Sequence, residues 1–324
     1  MNTYSYISIR TNKKIAEGVS LLRKVFLFFC VLCFFAQCNS RTDIEIANLR
    51  CELLSNPQGI DLPELRFSWE IISDDRDVHQ THYHILVASS LDKLNANKGD
   101  LWDSRKTASD ASVFVPYSGK KLESRMECFW KVKITTNKGI SSWSVPASWS
   151  MAFMNPLDWQ ARWIGLDKMF QGDVFDTNQM HTRLSARYFR KEFEGGQKPV
   201  KATVYVSGLG LYELYVNGQK IGDQELTPMI TEYTKVIKYS TFDVTKEMKT
   251  GKNAVGVVLG NGRYFAPHLN YLRHFGFPKM IFQMEVEYPE LTACKPYRSG
   301  HAGFLDAHME GIQQKSHVFI VHAP

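Results

Sequence analysis

Apolar and polar residues alternate through most of this chain, and the alternation defines short strands. In Leu65–Ile71 (LRFSWEI), Tyr83–Ala88 (YHILVA), Ser112–Pro116 and Cys128–Thr135 (CFWKVKIT), every second residue is apolar. Tyr83, Ile85 and Val87 share one face, and Trp130, Val132 and Ile134 share another. A period of two is the signature of a strand buried on one side. Several such strands between turn signals predict an antiparallel sandwich, with Trp69 and Trp130 filling the space between its sheets. A short helical turn is expected around Ser90–Ala96 and a tight turn at Asn137-Lys138-Gly139. Ser142-Trp143-Ser144 is expected to close the last strand.

Asn155-Pro156 marks a boundary, after which a polar loop over 167–183 gives way to a second series of strands. These are Arg187–Phe193, Lys201–Ser207, Tyr212–Val216, Gln219–Ile221, Val236–Thr241, Ala254–Leu259 and Lys279–Glu287. Asn217-Gly218 between two of them predicts a two-residue hairpin turn, because both turn positions need positive φ. In Lys279–Glu287, Met280, Phe282, Met284 and Val286 are expected to face inward, with Gln283, Glu285 and Glu287 outward. No pattern supports a helix longer than a turn or two. The fold class expected is therefore all-β: a fibronectin type III or Ig-like sandwich over 44–154, then a jelly-roll-like sandwich over 156–288.

The two ends read differently. Val25–Ala36 is an unbroken apolar run of 12 residues behind Arg23-Lys24. That is too short for a membrane helix, which needs about 20, and it fits the hydrophobic core of an export signal. It runs into Phe35-Ala36-Gln37-Cys38, which resembles a bacterial lipobox apart from Gln37. Residues 1–38 are thus read as a signal or lipoprotein segment, with Cys38 the lipidated residue and the protein exported and anchored in the bacterial envelope. After Tyr288 the strand pattern stops until a brief Val318–Val321 run. The segment 289–324 is expected to be irregular, a frameshifted or truncated end. Its histidines, His301, His308, His317 and His322, follow no metal-ligand spacing.

Composition narrows the function. The chain carries 39 basic and 33 acidic residues over 324 positions. Much of that excess lies before residue 38, where Arg10, Lys13, Lys14, Arg23 and Lys24 face Glu17 alone. The remainder is nearly neutral, which excludes a nucleic-acid surface. Of the six cysteines, three lie in the leading segment, and no Cys-x-x-Cys pair follows it. Neither a zinc site nor a redox pair is indicated. Cys51 and Cys128 read as buried free thiols within strands, with pairing in an oxidising compartment the alternative.

With the elements placed, the chain resembles the N-terminal, non-catalytic half of bacterial α-L-rhamnosidases of glycoside hydrolase family 78. Asn48-Leu49-Arg50-Cys51-Glu52, Asn56-Pro57-x-Gly59-Ile60-Asp61, Arg66-Phe67-Ser68-Trp69, Leu101-Trp102-Asp103-Ser104 and Phe129-Trp130-Lys131-Val132 are similar to the leading fibronectin-like domain. Trp159-x-Ala-x-Trp163-Ile164-Gly165 and Ser207-Gly208-Leu209-Gly210-x-Tyr212-Glu213-Leu214-Tyr215-x-Asn217-Gly218 are similar to the β-sandwich that follows it. Gly222-Asp223, Leu226-Thr227-Pro228, Thr231-Glu232-Tyr233 and Leu259-Gly260-Asn261-Gly262-x-Tyr264 complete that series. Arg263 departs from it, since many members carry an aromatic residue there.

The resemblance implies release of terminal L-rhamnose with inversion by the full-length enzyme. One carboxylic acid would protonate the leaving oxygen while a carboxylate activates water about 6.5–9.5 Å away. Those groups belong to an (α/α)6 barrel whose signature this sequence lacks, so the chain alone is expected to be inactive and the missing barrel is its expected partner. A rhamnose-containing glycan is the other expected partner. No catalytic residue, metal or cofactor is assigned.

Asp223, Glu225 and Glu232 are carboxylates near turns, where solvated acids are the rule. Sugar binding fits better. Asn261, Arg263 and Tyr264 join an amide, a guanidinium and a phenol in one loop, and Glu232 and Tyr233 add an acceptor and a ring. Planar polar groups beside an aromatic face are what a sugar requires. The other reading is structural, with Asn261 and Gly262 shaping the turn and Tyr264 capping the sandwich. Some relatives are implied to bind rhamnose with calcium, for which Asp173, Asp176 and Asn178 are the only candidates. Gly208-x-Gly210 opens no helix and is no nucleotide loop. Two other functions remain open: a stand-alone carbohydrate-binding surface lipoprotein, and a structural spacer.

Overall fold

A computed structural model describes residues 43–174, 183–265 and 275–289, together with the backbone of a strand over 316–320. The leading apolar run, Cys38, Asp176, Asn178, Cys294, His301, His308 and His322 lie outside the described residues.

The first sandwich contains β1 (Glu45–Cys51), β2 (Arg66–Ile72), β3 (Gln80–Ala88), β4 (Trp102–Asp103), β5 (Thr107–Ala108), β6 (Val115–Pro116), β7 (Glu127–Thr136) and β8 (Ala147–Ser150). One sheet has the order β1-β2-β6; the other runs β4-β3-β7-β8, with β5 also on β3. The expected alternation holds: Ile85, Val87, Trp130, Val132 and Ile134 are all buried. Phe67, Trp69, Trp130 and Trp149 fill the space between sheets, and the Phe67 and Trp130 rings lie 4.4 Å apart. Trp69 Nε1 donates to Gln80 Oε1 at 3.1 Å, so the buried indole keeps its polar handle satisfied. Cys51 and Cys128 are free and buried in this core, as the bland reading expected. The helical turn expected near Ser90 is α1 (Leu91–Asn95), with Ser90 as its N-cap.

One expected strand is not there. The segment 142–146 runs beside β7 without joining it as a strand, and β8 closes the sheet instead. Ser144 Oγ and Ser141 Oγ accept the N–H groups of Val132 and Ile134, taking the place of ladder carbonyls. Short hydroxyl side chains compete with the backbone in this way.

The second sandwich contains β9 (Ile164–Gly165), β10 (Arg187–Gly195), β11 (Lys201–Leu209), β12 (Leu211–Val216), β13 (Gln219–Ile221), β14 (Ser240–Asp243), β15 (Gly251–Gly260), β16 (Lys279–Glu287) and β17 (Ser316–Ile320). Its sheets are β10-β15-β12-β13 and β14-β11-β16-β17, with β9 also on β16. Asn217 and Gly218 have φ of 52° and 84°, the positive pair a β12–β13 hairpin of this length needs. The strand expected over 236–241 begins only at Ser240, because Val236 N–H closes a turn onto Glu232 O. β17 covers the brief apolar run near residue 318 and pairs antiparallel with β16. The described α-helices are α1 and a single turn, α2 (Gly262–Phe265), and Pro156–Asp158 forms one 3-10 turn.

Met280, Phe282, Met284 and Val286 point into the second core as expected. Gln283 points to the opposite face, also as expected, yet it is fully buried. That face of β11 and β16 is covered by the first sandwich and the linker. Gln283 Oε1 accepts from Gln160 N–H at 2.8 Å and Ala161 N–H at 3.3 Å, while its Nε2 donates to Asp158 O at 3.1 Å. Phe153 stacks on Tyr205 at 4.2 Å, and Trp159 stands edge-on to both Phe153 and Tyr239. Arg125 donates to Glu285 at 2.8 Å and Lys201 to Glu127 at 2.8 Å across the same junction. The two sandwiches therefore meet through a packed, hydrogen-bonded interface.

Candidate functional site

The loop after β15 and the turn after residue 231 meet at one end of the second sandwich. Tyr233 lies edge-on to Tyr264 at 5.4 Å, and both also contact Phe275. Tyr264 and Phe275 are stacked at 5.5 Å with 19° between planes, and Tyr233 stands perpendicular to both. The result is an open-sided aromatic corner. Burial raises the Tyr233 phenol above its usual range, and the Arg263 guanidinium opposes that shift, so its charge reaches the ring. Arg263 itself is exposed at the rim.

The five residues singled out in the sequence thus divide. Tyr233, Tyr264 and Arg263 come together. Glu232 turns back on its own loop, where its carboxylate accepts from the Thr234 hydroxyl at 2.8 Å. Asn261 points inward, with Nδ2 donating to Leu184 O at 3.3 Å and Oδ1 buried without a partner. Asn261 is thus turned into the chain rather than toward Tyr264 and Tyr233. Phe275, 37% exposed, completes the corner. It precedes β16 without any alternation, so periodicity alone could not have found it.

Of the other candidate groups, Asp173 and Glu225 are engaged within the chain. The Asp173 side chain is shielded by its partners: the Ser185 hydroxyl and backbone N–H, with the Phe170 N–H, hold its carboxyl well below the usual range, and Arg187 pairs with it at 3.2 Å. That pairing engages Asp173 within the chain, and the other two candidates, Asp176 and Asn178, lie outside the described residues. Among the described residues, no three His, Cys, Asp or Glu side chains gather as metal ligands. Glu225 is 78% exposed and pairs with Lys220 at 3.3 Å, as expected of a solvated acid. A cleft of about 350 Å³ at the junction is lined by Trp159, Trp163, Tyr239 and Ile281. Two of its polar groups are engaged: Ser207 Oγ donates to Lys238 O, and Tyr239 Oη accepts from Phe153 N–H.

Two β-sandwiches in tandem, joined by a packed interface, define a two-domain all-β chain, and its relatives give the class. Residues 46–155 match the Rha78A-like N-terminal immunoglobulin domain, and residues 197–294 the α-L-rhamnosidase N-terminal domain. An α-L-rhamnosidase of Formosa agariphila is 34% identical over 74% of this chain and 26% of its own length. The α-L-rhamnosidase structure from Dictyoglumus thermophilum is 38% identical, with a TM-score of 0.66 over 75% of this chain and 27% of that one. A Streptomyces avermitilis α-L-rhamnosidase complexed with L-rhamnose shares the fold, at 20% identity and a TM-score of 0.65 over 76% of this chain and 39% of that one. This chain corresponds to the N-terminal, non-catalytic portion of a family 78 α-L-rhamnosidase. It spans about a quarter to a third of the first curated relatives it matches.

Proposed function

We propose that this chain is the exported front of an α-L-rhamnosidase, anchored in the bacterial envelope through Cys38, and that its aromatic corner contacts the rhamnose-bearing glycan which the whole enzyme hydrolyses. The observation that carries the binding reading is the perpendicular arrangement of Tyr233 against stacked Tyr264 and Phe275, with Arg263 at its rim. Rhamnose is a deoxysugar with an apolar methyl and C–H face. Aromatic rings receive that face, and a guanidinium bridges neighbouring hydroxyls.

A spacer role is favoured by a different observation. Leu226, Met229 and Ile230, on the loop leading to Tyr233, are 77%, 68% and 51% exposed. Apolar side chains grouped on one loop suit a surface that docks against a further domain.

Titration of the chain with L-rhamnose, followed by NMR of the tyrosine rings, separates the readings. Saturable shifts that vanish in Tyr264→Ala and weaken in Arg263→Ala support binding at the corner. Unchanged spectra at millimolar sugar leave docking as the role of this end. Metabolic labelling with a radioactive fatty acid, lost in Cys38→Ala, tests the anchor.

A further inference from the structure

The outward face of the β10-β15-β12-β13 sheet is not used by the corner or by the junction. Its central strand alternates Asn253, Val255, Val257 and Leu259 into the core with Ala254, Gly256, Val258 and Gly260 outward. Glycine weakens a strand interior, so a strand glycine calls for a reason: a bulge, a tight bend, or the close approach of something above it. The β15 register runs unbroken against β10, without a bulge. Neither Gly256 nor Gly260 has a positive φ. A Cβ built on either would meet nothing nearer than 3.7 Å. The chain's own packing therefore gives no reason for glycine at these two positions.

The walls beside them are chemically specific. Gly256 pairs with Arg190 on one side and Tyr215 on the other; Val258 pairs with Tyr188 and Glu213. With nothing but hydrogen above Gly256, the flanking side chains border a slot two strand spacings across, about 9.5 Å. Tyr188 stands 79% exposed on one wall. On the other, Tyr215 Oη donates to Glu213 at 2.7 Å and Lys220 pairs with Glu213 at 3.0 Å. Arg190 pairs with Glu192 along the first wall. Arg190, Glu192, Glu213 and Lys220 are thus engaged within their own walls, with Glu225 also on Lys220. The slot thus carries no basic excess to attract a polyanion, and its rims are too polar for an apolar helix.

We propose that this face binds a neutral glycan chain, its pyranose rings lying over Gly256 and Gly260. Tyr188 and Tyr215 would take the C–H faces, while Arg190, Glu192, Glu213 and Lys220 would take the hydroxyls. The slot stands on its own geometry. That its glycan carries rhamnose rests on the function proposed above.

The full chain is run by affinity electrophoresis through gels holding a neutral rhamnose-bearing polysaccharide, and through gels holding a neutral polysaccharide without rhamnose. Retardation of the wild type is expected. Gly256→Val fills the slot with a residue that favours strands, so its melting temperature should hold or rise while its dissociation constant rises about tenfold or more, the scale of one lost aromatic contact. Tyr188→Ala should weaken binding by a similar factor. Val145→Ser, an exposed change on the first sandwich, should leave it unchanged. The proposal is overturned if neither gel retards the wild type, if Gly256→Val and Tyr188→Ala run like the wild type, or if only Tyr264→Ala abolishes retardation. A change of oligomeric state in Gly256→Val without loss of retardation also overturns it. Slot-dependent retardation on the rhamnose-free polysaccharide supports the slot and removes the rhamnose reading instead.

Discussion

Replacing Gln283 by leucine tests the physical account of the junction directly. The wild-type amide sits fully buried on β16, accepting the Gln160 and Ala161 N–H groups and donating to Asp158 O. Leucine keeps most of the volume and removes every one of these partners. Two well-formed contacts, Gln160 N–H and Asp158 O, are then left unsatisfied in a part-buried junction, each at a cost of about 1–2 kcal/mol. Added leucine apolar area offsets only part of that, so the net loss is about 1–3 kcal/mol. For a unit of this size the melting temperature should fall by about 3–10 °C. Hydrogen exchange localises the effect: the Gln160 and Ala161 amides should lose protection, while those of β3 and β7 keep theirs. Gln283→Glu sharpens the test, because it sets a carboxylate against Asp158 O and the Glu285 carboxylate that Gln283 Nε2 contacts at 3.1 Å. Its folded-state pKa would be raised, so this variant should be less stable at pH 7 than at pH 5. If Gln283→Leu melts within a degree of the wild type with the linker amides still protected, the linker is not held by this side chain and the reasoning fails.

Three further outcomes follow from the same structure. Burial pushes the Cys51 and Cys128 thiols up to about 12, so neither should react with a thiol reagent at pH 8 until the chain is unfolded; rapid native labelling of either peptide by mass spectrometry would contradict the packing. Gly59 has φ +72° and its added Cβ would meet Thr241 Oγ1 at 2.2 Å, so Gly59→Ala should cost about 2–3 kcal/mol, part of it regained with Thr241→Ala in a double-mutant cycle read by denaturant melts. Burial works against the charge on Asp100, but Lys93 and the Ser89 donors win and hold its carboxyl at about 2, below the unfolded value near 3.9. That stabilisation is complete above about pH 4 and fades as pH falls towards 2; the gap in denaturant midpoint between wild type and Asp100→Asn should close over that window.

Much of the molecule was legible along the chain because strand burial is local. One buried face forces a period of two, and that period placed β2, β3, β7, β10, β11, β12, β15 and β16 within a few residues. The Asn217-Gly218 hairpin was equally readable, since its φ requirement restricts the residue types. The candidate site was legible only in part. Tyr264 and Tyr233 stood out as aromatic residues in turns, but no local signal brings Phe275 beside them, and none shows that Asn261 turns inward to Leu184.

By itself the sequence determined an all-β fold for the described residues, two sandwiches and the inward faces of the long strands. Each follows from neighbours a few residues apart. Only the tertiary structure decided what covers the other faces. Gln283 and Tyr205 sit where alternation points outward, and both are buried because a second sandwich lies there. Gly256 and Gly260 sit on an outward face that remains open. Alternation reports which side of a strand a residue occupies; whether water, another domain or a ligand meets that side depends on contacts between residues more than a hundred positions apart, such as Arg125 with Glu285.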